Sequence, residues 1–218
     1  VFMLGPNKSS IYPEFLPETL VPSATKYSSY YLSKLKKIPD LIVYDPTGDL
    51  LQAKEKEGYL YWKTDTHWNS KGAYIAFSGL AKKLSIPTPN VTFQKGPLHK
   101  GDLISISKLD NYPLTPSDNW VAKWDETPIS VEKRLPNEHE SAFGSPKNII
   151  TTNALTDKSV WIVGDSFSKG VEPYLNATFK EVRYIGHWSE KLDNLSDELA
   201  KANKKPDIII IERVERSF

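Results

Sequence analysis

The 218-residue chain contains no cysteine, which excludes disulfides and thiolate metal sites. It also lacks a charge of one dominant sign. Lysine and arginine number 28 against 27 aspartates and glutamates, a net +1. That balance gives no reason to expect nucleic acid or an anionic membrane surface as the main partner. No apolar run reaches the roughly 18 residues needed to span a bilayer. No secretory leader is legible, and Val1-Phe2-Met3-Leu4 reads like the inside of a strand. An upstream segment missing from this sequence is therefore expected.

What is present fits one sizeable domain, expected to cover residues 1–218. Hydrophobic residues make up 39% of the chain and charged residues 25%, enough for a core and a solvated surface. Five short apolar runs read as strands: Val1–Leu4, Leu41–Tyr44, Val160–Val163, Val182–Ile185 and Ile208–Ile211. Their apolar positions are consecutive rather than alternating, as in a parallel sheet buried on both faces. Helical stripes fall between them: Tyr27, Tyr31, Leu35 and Ile38; Ala73, Phe77, Leu80, Ala81 and Leu84; Leu192, Leu195 and Leu199, the last opened by Ser189 as a cap. The alternation predicts an α/β fold with a mostly parallel sheet flanked by helices. Residues 86–158 hold eight of the sixteen prolines and little period. They read as a loop-rich insertion with short β segments.

Two blocks carry chemistry. Asp65-Thr66-His67-Trp68-Asn69 offers a carboxylate and an imidazole two residues apart. Gly164-Asp165-Ser166-Phe167 offers a hydroxyl at the end of the apolar run Val160–Val163. A serine needs a base within hydrogen-bond reach, and the base needs a carboxylate to fix its tautomer. If the segment around Asp65 is extended, both side chains project to one face. Ser166 would lie past the carboxyl end of a strand, where functional groups collect in open α/β sheets. Its backbone N–H is a natural oxyanion donor. Each block alone has a plainer reading: Asp and Ser are common turn residues, and His67 beside Trp68 could be a hydrogen-bonded, half-buried histidine. His99 and His139, in the insertion, read as solvated. Trp68 and Trp188 are candidates for stacking on sugar rings, and His187 for bordering the site, although most tryptophans pack in cores.

The string Lys63-Thr64-Asp65-Thr66-His67-Trp68-Asn69 resembles the Asp-Thr-His-Trp block of the AlgX/AlgJ family of alginate O-acetyltransferases, and Val163-Gly164-Asp165-Ser166-Phe167 resembles that family's later serine segment. Pro6-Asn7-Lys8 with Ile11-Tyr12-Pro13-Glu14, Lys100-Gly101-Asp102-Leu103, and the ending Ile211-Glu212-Arg213-Val214-Glu215-Arg216 are similar to further family segments. The resemblance implies an SGNH-hydrolase-like (flavodoxin-like) fold. It implies a triad of Ser166 as nucleophile, His67 as base and Asp65 as its orienter. Lys8 joins Trp68, Trp188 and His187 as a candidate substrate-binding residue. It also implies extracytoplasmic action on an exopolysaccharide acceptor, beside a membrane-bound O-acyltransferase that supplies acetyl groups, with no cofactor and no metal. Esterase or deacetylase activity remains open, as does a non-catalytic polysaccharide-binding role. A metal-dependent phosphoesterase is a further alternative, but its second block should carry another aspartate where this chain has Ser168.

Overall fold

The computed structural model describes all residues except 22, 24, 110, 112, 114–117 and 135–145, so His139 lies outside the described residues. The first half of the chain contributes β1 (Phe2–Gly5), α1 (Lys8–Ile11), α2 (Tyr27–Leu35), β2 (Val43–Tyr44), α3 (Thr47–Glu57) and α4 (Ser70–Leu84). The stretch predicted to be loop-rich carries β3 (Val91–Lys95), α5 (Asp102–Ile106), β4 (Trp120–Trp124), β5 (Ser130–Arg134) and β6 (Lys147–Thr151). The chain then closes with β7 (Thr156–Gly164), α6 (Ser168–Thr178), β8 (Phe179–His187), α7 (Trp188–Lys191), α8 (Leu195–Lys201) and β9 (Ile208–Val214).

Among the described residues seven strands form one sheet in the order β2-β1-β9-β7-β8-β6-β5. The five predicted runs supply the parallel part, and β6 and β5 extend it antiparallel. Successive residues of each parallel strand feed opposite faces, which is why the runs are apolar throughout. Val160 and Ile162 pack into the core under α4 and α6, while Trp161 and Val163 pack against Leu195, Leu199 and Trp188. In β1, Met3 joins the first core, and Phe2 and Leu4 pack with Leu32 of α2. Both faces are covered, as the mostly parallel α/β reading requires.

The departures from expectation have local causes. The stripe through Tyr27 and Tyr31 does not face the core: these rings are 77% and 45% exposed, and α2 buries Ser28 and Leu32 instead. The third helical stretch is two short helices, and the first is capped by His187, not Ser189. Helix α6 went unread because Gly170 and Pro173 interrupt its signal, yet Val171, Tyr174, Leu175 and Thr178 keep helical spacing and are buried.

Candidate active site

The serine block occupies the tight turn between β7 and α6. Asp165 shapes it with both carboxylate oxygens. Oδ1 accepts the Phe167 N–H at 3.0 Å, and Oδ2 accepts the Val214 N–H at 2.8 Å. Ser166 is thereby held just past the carboxyl end of the sheet. Asp65 and His67 lie in the connection between α3 and α4. The segment is a bend rather than the extended stretch anticipated: the His67 N–H donates to Asp65 Oδ1 at 3.0 Å, an Asx-type turn. The turn, not strand alternation, puts the carboxylate beside the ring.

Folding closes the 99-residue gap between the blocks. His67 Nε2 stands 2.7 Å from Ser166 Oγ, and His67 Nδ1 stands 2.6 Å from Asp65 Oδ1. Because a carboxylate only accepts, Nδ1 carries the proton and the Nε2 lone pair faces the hydroxyl. Burial pushes the Asp65 carboxyl up, but hydrogen bonds from the His67 and His99 rings and from the His67 backbone N–H outweigh it, holding Asp65 well below the usual carboxylate range.

Trp68 is the clamp between the blocks. It is 1% exposed, and its Nε1 donates to the Phe167 carbonyl at 3.1 Å. Its ring meets the Phe167 ring edge-on at 5.0 Å, and the Phe167 ring lies 4.9 Å from that of His67. A buried indole offers no face to a sugar, so the stacking role predicted for Trp68 is corrected to a structural one. Asn69 next to it caps α4 by accepting the Gly72 N–H at 3.1 Å.

Three other candidates are also occupied. Lys8 Nζ donates to the carbonyls of Trp62, Lys63 and Asp65 at 2.7, 2.8 and 3.1 Å. With its three donors on these carbonyls, Lys8 braces the Asp65 turn, and it also borders the concavity beside Thr66. Trp188 is half-buried against the core, with the Arg213 guanidinium 4.1 Å from its ring centroid. His187 pairs with Gly164 across the sheet, but its Nδ1 bonds Ser189 Oγ at 2.6 Å and accepts the Ser189 N–H at 3.2 Å, capping α7.

Two groups at the site were missed in the sequence. His99, expected in solvent, places Nε2 2.9 Å from Asp65 Oδ2. Asp102 accepts the Thr66 N–H at 2.8 Å and the Thr66 hydroxyl at 2.6 Å, and its Oδ2 lies 3.6 Å from His67 Nδ1. The Gly-Asp-Leu step was the only trace of either. Asp65, His67 and Asp102 each bring a ligand atom within 4.8 Å of the others, a geometry that could hold a cation. Such an ion would compete for the 2.6 Å contact between His67 and Asp65.

Beside the His67 turn lies a concavity of about 490 Å³, walled in part by Asn7, Lys8, Tyr12, Thr66, Leu103 and Arg216. A second concavity, about 760 Å³, lies between α3, α4 and β3 and is lined by none of Asp65, His67 and Ser166.

Residues 1–212 match the family model described as the SGNH hydrolase-like domain of the acetyltransferase AlgX. The chain belongs to this family. Similar proteins include a probable alginate O-acetylase AlgJ of Pseudomonas syringae pv. tomato, 29% identical over 77% of this chain and 42% of that protein. The AlgJ of Pseudomonas fluorescens, also called a probable alginate O-acetylase, is 33% identical over 50% of the chain and 30% of its own length. The chain thus spans less than half the length of these relatives. Among solved structures, a DHHW family protein of Eubacterium siraeum aligns with TM-score 0.69 at 14% identity, covering 99% of this chain and 78% of that one. Bacillus cereus PatB1 aligns at 0.66 and 17%, covering 99% and 82%. The O-acetyltransferase domain of Pseudomonas putida AlgJ aligns at 0.59 and 18%, covering 99% and 74%. These three confirm the SGNH-like α/β fold.

Proposed function

We propose that residues 1–218 are one catalytic domain that transfers acetyl groups through an acetyl-Ser166 intermediate to hydroxyls of an exopolysaccharide. The observation that carries this reading is the 2.7 Å approach of His67 Nε2 to Ser166 Oγ, with Asp65 behind the ring at 2.6 Å. In the first half-reaction Ser166 Oγ attacks the acetyl carbonyl while its proton passes to His67 Nε2. Asp65 stabilises the imidazolium, and the leaving group departs with that proton. The Ser166 N–H, at the start of the turn into α6, is the oxyanion donor this arrangement offers. In the second half a sugar hydroxyl in the concavity beside Thr66 gives its proton to His67 and attacks the acetyl-serine. The new sugar ester forms as the acyl C–Oγ bond breaks, and His67 Nε2 returns the proton to Ser166 Oγ. The proton relay needs no metal ion.

Family membership supports an acyl donor delivered by a membrane-bound O-acyltransferase and an extracytoplasmic site of action. Among the described residues no helix is long and apolar enough to cross a membrane. Acetyl ester hydrolysis is the second reading, because the same triad serves water as the acceptor. Mass spectrometry after exposure to a chromogenic acetyl ester should find one acetyl adduct on the Ser166 peptide. Added oligosaccharide should then draw acetyl away from water. Hydrolysis with no acetylated sugar for any acceptor would favour the esterase. An equally active Ser166→Ala variant would remove Ser166 as nucleophile.

A further inference from the structure

We propose that His99 is a positioning residue for the triad: a second imidazole on Asp65 that orients the carboxylate toward His67. This rests on the triad reading above. Asp65 is shared by two rings, with Oδ1 on His67 Nδ1 at 2.6 Å and Oδ2 on His99 Nε2 at 2.9 Å. The carboxylate can only accept, so neutral His99 carries its proton on Nε2.

The His99 ring is fixed from two sides. It stacks on Trp62 with centroids 4.0 Å apart and planes 19° from parallel, and Trp62 Nε1 donates to Asn119 Oδ1 at 2.9 Å. Its backbone is laid along the Asp65 turn. Thr64 Oγ1 donates to the His99 carbonyl and accepts the Gly101 N–H, both at 3.2 Å. The Leu103 N–H donates to the Thr64 carbonyl at 3.1 Å, and the Asp102 N–H reaches Asp65 Oδ2 at 3.3 Å. The approach is close enough that a Cβ on Gly101 would stand 2.2 Å from the Thr64 carbonyl oxygen. A segment of the irregular stretch is therefore built onto the triad's acid.

Charged groups beside the unit include Lys8, on the Asp65 carbonyl, Asp102, near His67, and Asp118, which accepts the Lys63 N–H.

The test is the ¹H NMR signal of the His67 Nδ1–H at pH 8, with acetyl-ester kinetics beside it. His99→Gln keeps an N–H donor for Asp65. It should leave that signal in place and kcat within about threefold of the parent. His99→Phe keeps the stack on Trp62 and loses the donor. It should move the signal and lower kcat about tenfold or more at unchanged KM and melting temperature, in the range seen when an outer hydrogen-bond partner is removed. An unmoved signal in His99→Phe would overturn the proposal. So would a loss of activity in His99→Phe that His99→Gln shares. The NMR signal needs no turnover, so a protein inactive on every acetyl donor would defeat the acetyl-transfer reading while leaving the His99 role measurable.

Discussion

Glu212 Oε2 accepts the backbone N–H of Asp165 at 3.0 Å, from a side chain with no exposed surface. This carboxyl sits directly beneath the serine turn, so close that a Cβ on Gly164 would stand 3.0 Å from it. Burial, then the neighbouring Asp165 charge, pushes the Glu212 carboxyl well above its ordinary value of 4.5. The folded protein therefore holds a proton that the unfolded chain releases. Stability from this group is fully present below pH 4.5 and is lost as pH rises toward the folded pKa. Each pH unit in that window costs about 1.4 kcal/mol. Glu212→Gln should match the parent at pH 4 and melt higher at pH 8, measured by calorimetry across pH.

Asp65 has the opposite sign. Its carboxyl is held below its ordinary value of 3.8, so the stability it supplies is present above that pH and is lost as pH falls through the folded pKa. Asp65→Asn should flatten the acid side of the stability profile. It should also lower kcat by about 10,000-fold, because the amide no longer fixes the His67 tautomer. Ester turnover and an acid titration followed by circular dichroism check the two halves separately.

Lys8→Met keeps the aliphatic stem but strips three carbonyls of their shared donor. The loss should cost about 1–3 kcal/mol, the range for polar groups left without partners. Because one of those carbonyls belongs to Asp65, kcat should fall with it. Urea denaturation and steady-state kinetics on the same variant measure both, and unchanged stability would return Lys8 to the substrate-facing role.

Gly72 lies in α4, where alanine would ordinarily gain about 1 kcal/mol. Here an added Cβ would stand 2.2 Å from the Leu60 carbonyl oxygen, which is pinned by the Asn69 N–H at 2.8 Å. Gly72→Ala should therefore destabilise by about 1–3 kcal/mol through overpacking. A lower denaturation midpoint at constant slope is the expected result.

The elements legible in the sequence were those whose signal is local. The runs at Val160–Val163 and Ile208–Ile211 declare a strand buried on both faces by composition alone, and they are β7 and β9. Asp65, His67 and Ser166 could be named from residue type and chemistry. The regions misread were those where local signal is weak or contrary. Tyr27 and Tyr31 share a helical stripe that faces water. The short β segments expected in residues 86–158 include β5 and β6, but their place at the edge of the main sheet, set by the pairing of β6 with β8, had no local signal.

The sequence by itself determined the α/β layering and the inventory of reactive groups, because period and residue chemistry are properties of the chain read in order. Only the tertiary structure decided which groups are free and which are spent. It buried Trp68, committed Lys8 to three carbonyls, covered Trp188 with Arg213, and brought His99 from an unremarkable loop to the far oxygen of Asp65. Hydrogen-bond capacity is finite, and how it is shared out depends on neighbours that are distant along the chain.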